Sequence, residues 1–130
     1  VDAGKYVVFA PVGGRQLQDT FLIGSYFTLA FREREHLSFV VYVARQRPIE
    51  RMMQEAESEE KTLIVGGTVR RGQAPYNTDW SYTMGPRSIR LGEVWVEVCD
   101  AAPGYVQRHL DDWVGEAWCP WSSYVAAAGQ

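Results

Sequence analysis

The sequence predicts an α+β fold: a mainly antiparallel sheet of about five to seven strands carrying two helices, over about 48–60 and 103–114. Three observations predict it. Short apolar runs with period-two alternation recur along the chain, separated by Gly, Pro and charged turns. Two longer stretches instead place apolar residues three and four apart, each opening at a proline. The connection between the strands over 25–31 and 37–44 is short, which makes those two an antiparallel hairpin.

In chain order, residues 5–12 (KYVVFAPV) read as a first strand, with Gly13 and Gly14 as a turn and residues 20–23 as a short apolar run. Residues 25–31 alternate, setting Phe27, Leu29 and Phe31 against Tyr26, Thr28 and Ala30. The charged run 32–36 (REREH) costs too much to bury and serves as a turn. Residues 37–44 return as a strand, so the two form a hairpin. Pro48 starts the first helix. Ile49, Met52, Met53 and Ala56 share its apolar face, and Glu50, Glu55, Glu57, Glu59 and Glu60 are expected to face water. Residues 62–69 form a strand in which Gly66 and Gly67 suggest a bulge or a close approach. Residues 81–84 form another short strand.

The stretch from 91 to 121 holds both cysteines and four of the five tryptophans. Residues 93–99 alternate, so Val94, Val96 and Val98 are expected in the core, opposite Glu93, Trp95 and Glu97. Asp100 and Pro103 are read as the cap and first turn of the second helix, and Gly115 as its end. Tyr105, Val106, His109, Leu110 and Trp113 would share one face. The tail after residue 121 is expected to be weakly held, with Tyr124 and Val125 packing back. Cys99 and Cys119 are read as a disulfide, against the alternative of two free buried thiols. With no CxxC or HxxxH spacing, no metal site is expected.

Composition bounds the function. The 130 residues suit one domain, taken as 1–130; 46% apolar and 13% aromatic content excludes disorder. No apolar run reaches the ~20 residues of a membrane span. The net charge is −3 and the arginines are scattered along the sequence, so nucleic-acid binding is not expected. A chain opening Val1-Asp2-Ala3 with an even cysteine count reads as a mature, secreted product.

The chemistry-bearing residues do not assemble into an evident catalytic set. Glu93 and Glu97, four apart on a strand, would stand about 13 Å apart, beyond the ~5–9.5 Å of glycosidase pairs, and suit ion pairs with Arg70, Arg71 or Arg90. His109 reads as a hydrogen-bonded structural histidine on the apolar face of its helix. Ser122 and Ser123 lack a nucleophile elbow. The polar connection 70–80 (RRGQAPYNTDW) is the longest and is the expected binding segment. It contributes Arg71, Tyr76, Asn77 and Asp79, with Trp118 and Trp121 as exposed aromatics.

From Gln73 onward the chain resembles a family of small, mostly secreted bacterial and fungal proteins, also found as the N-terminal domain of a slime-mould protein and sometimes labelled calmodulin-binding. The resemblance lies in Ala74-Pro75-Tyr76-Asn77, Trp80-Ser81-Tyr82, Ser88-Ile89, Glu93, Glu97-Val98-Cys99-Asp100-Ala101, Tyr105-Val106, His109-Leu110 and Trp118-Cys119-Pro120-Trp121-Ser122-Ser123. Residues 29–57 match more faintly, and beside that family residues 1–25 look like an N-terminal addition to its core. The family implies a compact secreted domain and carries no catalytic residues over; a basic amphipathic helix of the kind calmodulin binds is absent from the sequence. The expectation is a secreted, non-enzymatic binding protein without a cofactor that acts on another protein, as a peptidase inhibitor or extracellular effector does. A lectin-like carbohydrate binder is the alternative, and a small hydrolase the third reading.

Overall fold

A computed structural model describes residues 6–8, 21–93 and 95–129. Strands β1 (Tyr6–Val8) and β2 (Phe21–Ile23) pair antiparallel as a separate ribbon. The turn expected at residues 13–14 and the rest of the first expected strand lie outside the described residues. Strands β3 (Ser25–Phe31) and β4 (Ser38–Val43) form the expected hairpin, with Tyr26 opposite Tyr42 and Phe27 opposite Val41. The charged turn between them is exposed. Alternation decides its faces: Phe27, Leu29, Phe31, Phe39, Val41 and Val43 are buried in the core.

Helix α1 spans Gln46–Glu57 and buries Ile49 and Met52. It packs against β9 (Ser123–Ala128), which adds to β3 and completes the three-stranded sheet β4-β3-β9. The tail is therefore a strand, correcting the expectation of a weakly held end. Apart from Tyr124 and Val125 its side chains are small, but its backbone pairs with β3, Leu29 with Val125 and Phe31 with Ser123, across one register shift between Thr28 and Leu29. A ladder of this kind needs no large side chain to hold it.

The second sheet is built on β5 (Ile64–Arg71). Strands β6 (Tyr82–Met84), β7 (Arg90–Gly92) and β8 (Ala117–Trp118) all pair antiparallel with it. The α+β, mainly antiparallel class holds. The two sheets hold seven strands, within the expected five to seven, and the β1-β2 ribbon brings the strands among the described residues to nine.

The C-terminal helical stretch is not one helix. Helix α2 (Pro103–Arg108) and helix α3 (Leu110–Trp113) are separated at His109, whose φ is −122° and ψ 38°. That break turns the expected single face: Val106 and Leu110 are buried, whereas Tyr105 and His109 are exposed. Pro103 opens α2, but its N-cap is Ala102 with no side-chain cap. Asp100 instead accepts the Trp121 backbone N–H at 2.8 Å. Gly115 does terminate α3, at φ 88°.

Glu55 corrects another expectation. It is 7% exposed rather than solvent-facing, and its carboxylate accepts the backbone N–H groups of Thr62 at 2.6 Å and Leu63 at 2.8 Å. Lys61 Nζ donates to the Glu55 and Ala56 carbonyls and closes the helix end. Glu55→Ala is expected to cost about 1–3 kcal/mol, because two amides would lose a charged acceptor. Glu57→Gln, at an exposed position, should stay within about 0.5 kcal/mol. Urea melts of the two variants make the comparison.

Candidate functional site

The site begins with a failure of alternation. Residues 93–99 do not form the expected strand. Trp95 turns inward and lays its ring on Gly66 and Gly92. A Cβ at either glycine would stand 2.9 or 2.8 Å from that ring, so both positions need glycine. Trp95 Nε1 donates to the Ile64 carbonyl at 3.2 Å. After an extended Val96, the chain tightens into a 3-10 turn, Glu97–Cys99, that delivers Cys99 to Cys119. The expected disulfide is present, with the two Cα atoms 5.2 Å apart. The Cys119 backbone N–H donates to the Cys99 carbonyl at 2.7 Å and fixes the same junction.

Anchored at Trp95 and at Cys99, the segment throws its valines outward. Val96 is 65% exposed and Val98 is 85% exposed. This corrects the core assignment for both; Val94 lies outside the described residues. Val98 stands between two concavities. One, of about 470 Å³, is bordered by Trp95, Val96, Trp113, Asp112 and Glu116. The other, of about 690 Å³, is bordered by Leu37, Trp80, Tyr105, Trp113 and Arg108. The result is an apolar knob flanked by aromatic side chains, with Asp112 and Glu116 on one side and Arg34, His36, Asp100 and Arg108 on the other. Such a centre-and-rim pattern is that of protein-contact surfaces.

The residues expected to bind are dispersed. Arg71 is exposed and pairs with Asp111. That is the one ion pair among the described residues, so Glu93 and Glu97 do not make the arginine pairs expected of them. Tyr76 is half-buried against Tyr26 at 5.1 Å and Tyr42 at 6.3 Å. Burial, and then those two neighbours, push its pKa above the usual tyrosine value. Asn77 is only 5% exposed; its Oδ1 accepts the Val40 N–H at 3.0 Å, so it ties the loop to β4 rather than reaching outward. Asp79 is exposed. Trp80 anchors the end of the loop, donating Nε1 to the Ser38 carbonyl at 2.9 Å. Further bonds from Gln73 to Thr78 and from Gly72 to Ser81 lace the loop to itself.

The tryptophans do not line up at the surface. Trp118 is wholly buried against Phe39 and Tyr82, with Nε1 on the Ala101 carbonyl at 2.9 Å, and presents no surface to a ligand. Trp121 is half-buried beside Asp100. His109 stacks on Tyr105 with ring centroids 4.3 Å apart, at an exposed position rather than on a buried helix face. Among the described residues, no three His, Cys, Asp or Glu side chains converge as a metal site would require.

The valine knob escaped the sequence reading because periodicity cannot see a covalent constraint. The available signal was the cysteine pair itself: a segment tied at residue 99 need not continue the strand pattern before it. Among known families, the BP-74 N-terminal domain, the slime-mould-related domain that the sequence resembles, matches residues 25–129. The match covers most of the chain, and the chain belongs to that family. No curated protein and no solved structure matches it.

Proposed function

We propose that the chain is a secreted, cofactor-free binding protein that acts on another protein, as a peptidase inhibitor or extracellular effector does, and that Val96 and Val98 are its contact. One observation carries this reading: a disulfide-anchored segment of a few residues holds two valines mostly in solvent, where apolar side chains gain nothing from the fold. The anchors at Trp95 and Cys99 lower the ordering entropy lost on association. The partner's complementary surface is an apolar cleft, with basic groups on the side that meets Asp112 and Glu116 and acidic groups on the side that meets Arg34 and Arg108. The segment 70–80 is the weaker candidate, because its bonds to β4 and to itself occupy the groups a partner would need. The lectin reading is disfavoured by the use of Trp80 and Trp118 in the interior aromatic cluster.

The test is inhibition of a panel of extracellular peptidases by wild-type protein and by Val98→Asp. Burying a valine contributes about 1.5–3 kcal/mol, so the variant is expected to bind at least about tenfold more weakly. Its melting temperature should be unchanged, since the side chain touches solvent. Undiminished inhibition by Val98→Asp would move the contact elsewhere.

A further inference from the structure

Folding gathers arginines that the sequence scatters. Arg45, Arg47 and Arg51 from the start of α1 and Arg90 from β7 line one concavity of about 580 Å³, floored by Pro48, Ile89 and Leu91. Its single carboxylate, Glu50, is engaged by Gln46 Nε2 at 2.6 Å. None of the four arginines has an ion-pair partner among the described residues. The neighbouring concavity, about 590 Å³, is bordered by Arg70 and Arg87 together with Tyr42, Thr68 and Ser88. The two are joined where the Ala44 N–H meets the Pro86 carbonyl at 3.0 Å, since Arg45 and Arg87 follow directly on those residues. Six of the thirteen Lys and Arg residues of a chain with net charge −3 thus form one continuous track.

This arrangement opposes the fold's own electrostatics. The first turn of α1 contains no acidic residue, and its cap makes no side-chain hydrogen bond. Cations there face the positive end of the helix dipole, and unpaired arginines repel one another. A sequence that breaks a local rule without an internal compensation marks a functional position. Arginine forks match sulfate and carboxylate oxygens two at a time.

We infer that the track from Arg45, Arg47, Arg51 and Arg90 to Arg70 and Arg87 is a binding site for a polyanionic polysaccharide, its charges borne on sulfate or carboxylate groups. A chain-like anion fits because two cationic concavities lie in series. A membrane surface fits poorly: none of the exposed large apolar side chains, Val96, Val98, Tyr105 or Val114, borders either concavity. Single-stranded nucleic acid fits poorly as well, since base stacking needs free ring faces: the four-arginine concavity has no aromatic ring, and Tyr42 in the second is packed against Tyr26 at 4.8 Å and Tyr76 at 6.3 Å. The disulfide belongs with an oxidising, extracellular setting where such polysaccharides occur. The site shares no residue with the valine knob.

Calorimetric titration of the full chain tests it with dextran sulfate, polygalacturonate, neutral dextran, a single-stranded oligonucleotide and phosphatidylserine vesicles. Binding to at least one of the two charged polysaccharides is expected, weakening as salt rises, with no binding to neutral dextran. Whichever polymer binds identifies the anionic group. The triple variant Arg47→Gln, Arg51→Gln, Arg90→Gln should lose at least about tenfold, and Arg90→Gln alone a smaller part, without a change in melting temperature. Arg70→Gln with Arg87→Gln should weaken long chains more than short oligosaccharides. Val98→Asp should bind as wild type, which separates this site from the proposed protein contact. The inference is overturned if neither charged polysaccharide binds, if the arginine variants bind like wild type, or if the oligonucleotide or the vesicles bind more tightly than both.

Discussion

Trp118→Ala is expected to lower stability by about 3–5 kcal/mol, the range for removing a large aromatic side chain from a packed core. The side chain is fully buried, with Phe39 edge-on at 5.0 Å and Tyr82 at 5.4 Å. Phe39 and Tyr82 in turn touch Trp80, so one aromatic cluster joins the hairpin sheet, the β5 sheet and the end of the 70–80 loop. Removing the indole opens a cavity at that junction and leaves the Ala101 carbonyl without its donor. Urea denaturation followed by intrinsic fluorescence measures the loss. Trp113→Ala, at a half-buried position, is the matched control and should cost distinctly less. Comparable losses for the two would mean that Trp118 is not the keystone its packing implies. A stability loss confined to Trp118 also bears on function, because it assigns the WCPW tryptophan to the interior and leaves sugar stacking to other rings.

The parts legible in the sequence are those in which local pattern and tertiary environment agree. The hairpin reads correctly because Phe27, Leu29 and Phe31 alternate without interruption against one buried face. Helix α1 reads correctly because Pro48, Ile49, Met52, Met53 and Ala56 repeat at helical spacing. Gly66 shows its close approach in the sequence, though not that Trp95 is what approaches.

Three features are illegible for separate reasons. Residues 95–99 obey a disulfide and an indole packed on Gly66 and Gly92 rather than their own β-propensity, so a sound strand pattern points Val96 and Val98 the wrong way. Glu55 looks like its acidic neighbours, yet only it lies where the 62–63 amides need an acceptor. The arginine track joins residues from 45 to 90, a convergence that exists only once α1, β5 and β7 are placed. The long loop makes a related point. Its length suggests function, but Asn77 and Trp80 spend their polar groups fastening it to β4, which no count of loop residues reveals.

Replacing both cysteines, Cys99→Ser with Cys119→Ser, is expected to cost about 3 kcal/mol in the chain-entropy account of a closed loop of this size, where the cysteines lie 20 residues apart. Both cysteines are buried, so the serine hydroxyls add desolvation to that figure. The consequence for binding is more specific than the stability loss. The native segment is held at Trp95 by packing and at Cys99 by a covalent bond, with Val96 and Val98 between them. Without the bond, the far end is held by the Cys119-to-Cys99 backbone hydrogen bond, the Trp121-to-Asp100 contact and the Trp118-to-Ala101 hydrogen bond, none of which is covalent. The valines then sample more conformations, and a partner must select one of them. Affinity for the protein partner should fall at a temperature where the variant is still fully folded, mainly through faster dissociation. Affinity of the arginine track for a charged polysaccharide should not change under those conditions, because no residue of the track borders the disulfide. Thermal melts establish the folded range, and the two titrations are then made within it. Equal losses at both sites would mean that the bond supports the whole domain. A loss at the valine segment alone ties the staple to the presentation of Val96 and Val98.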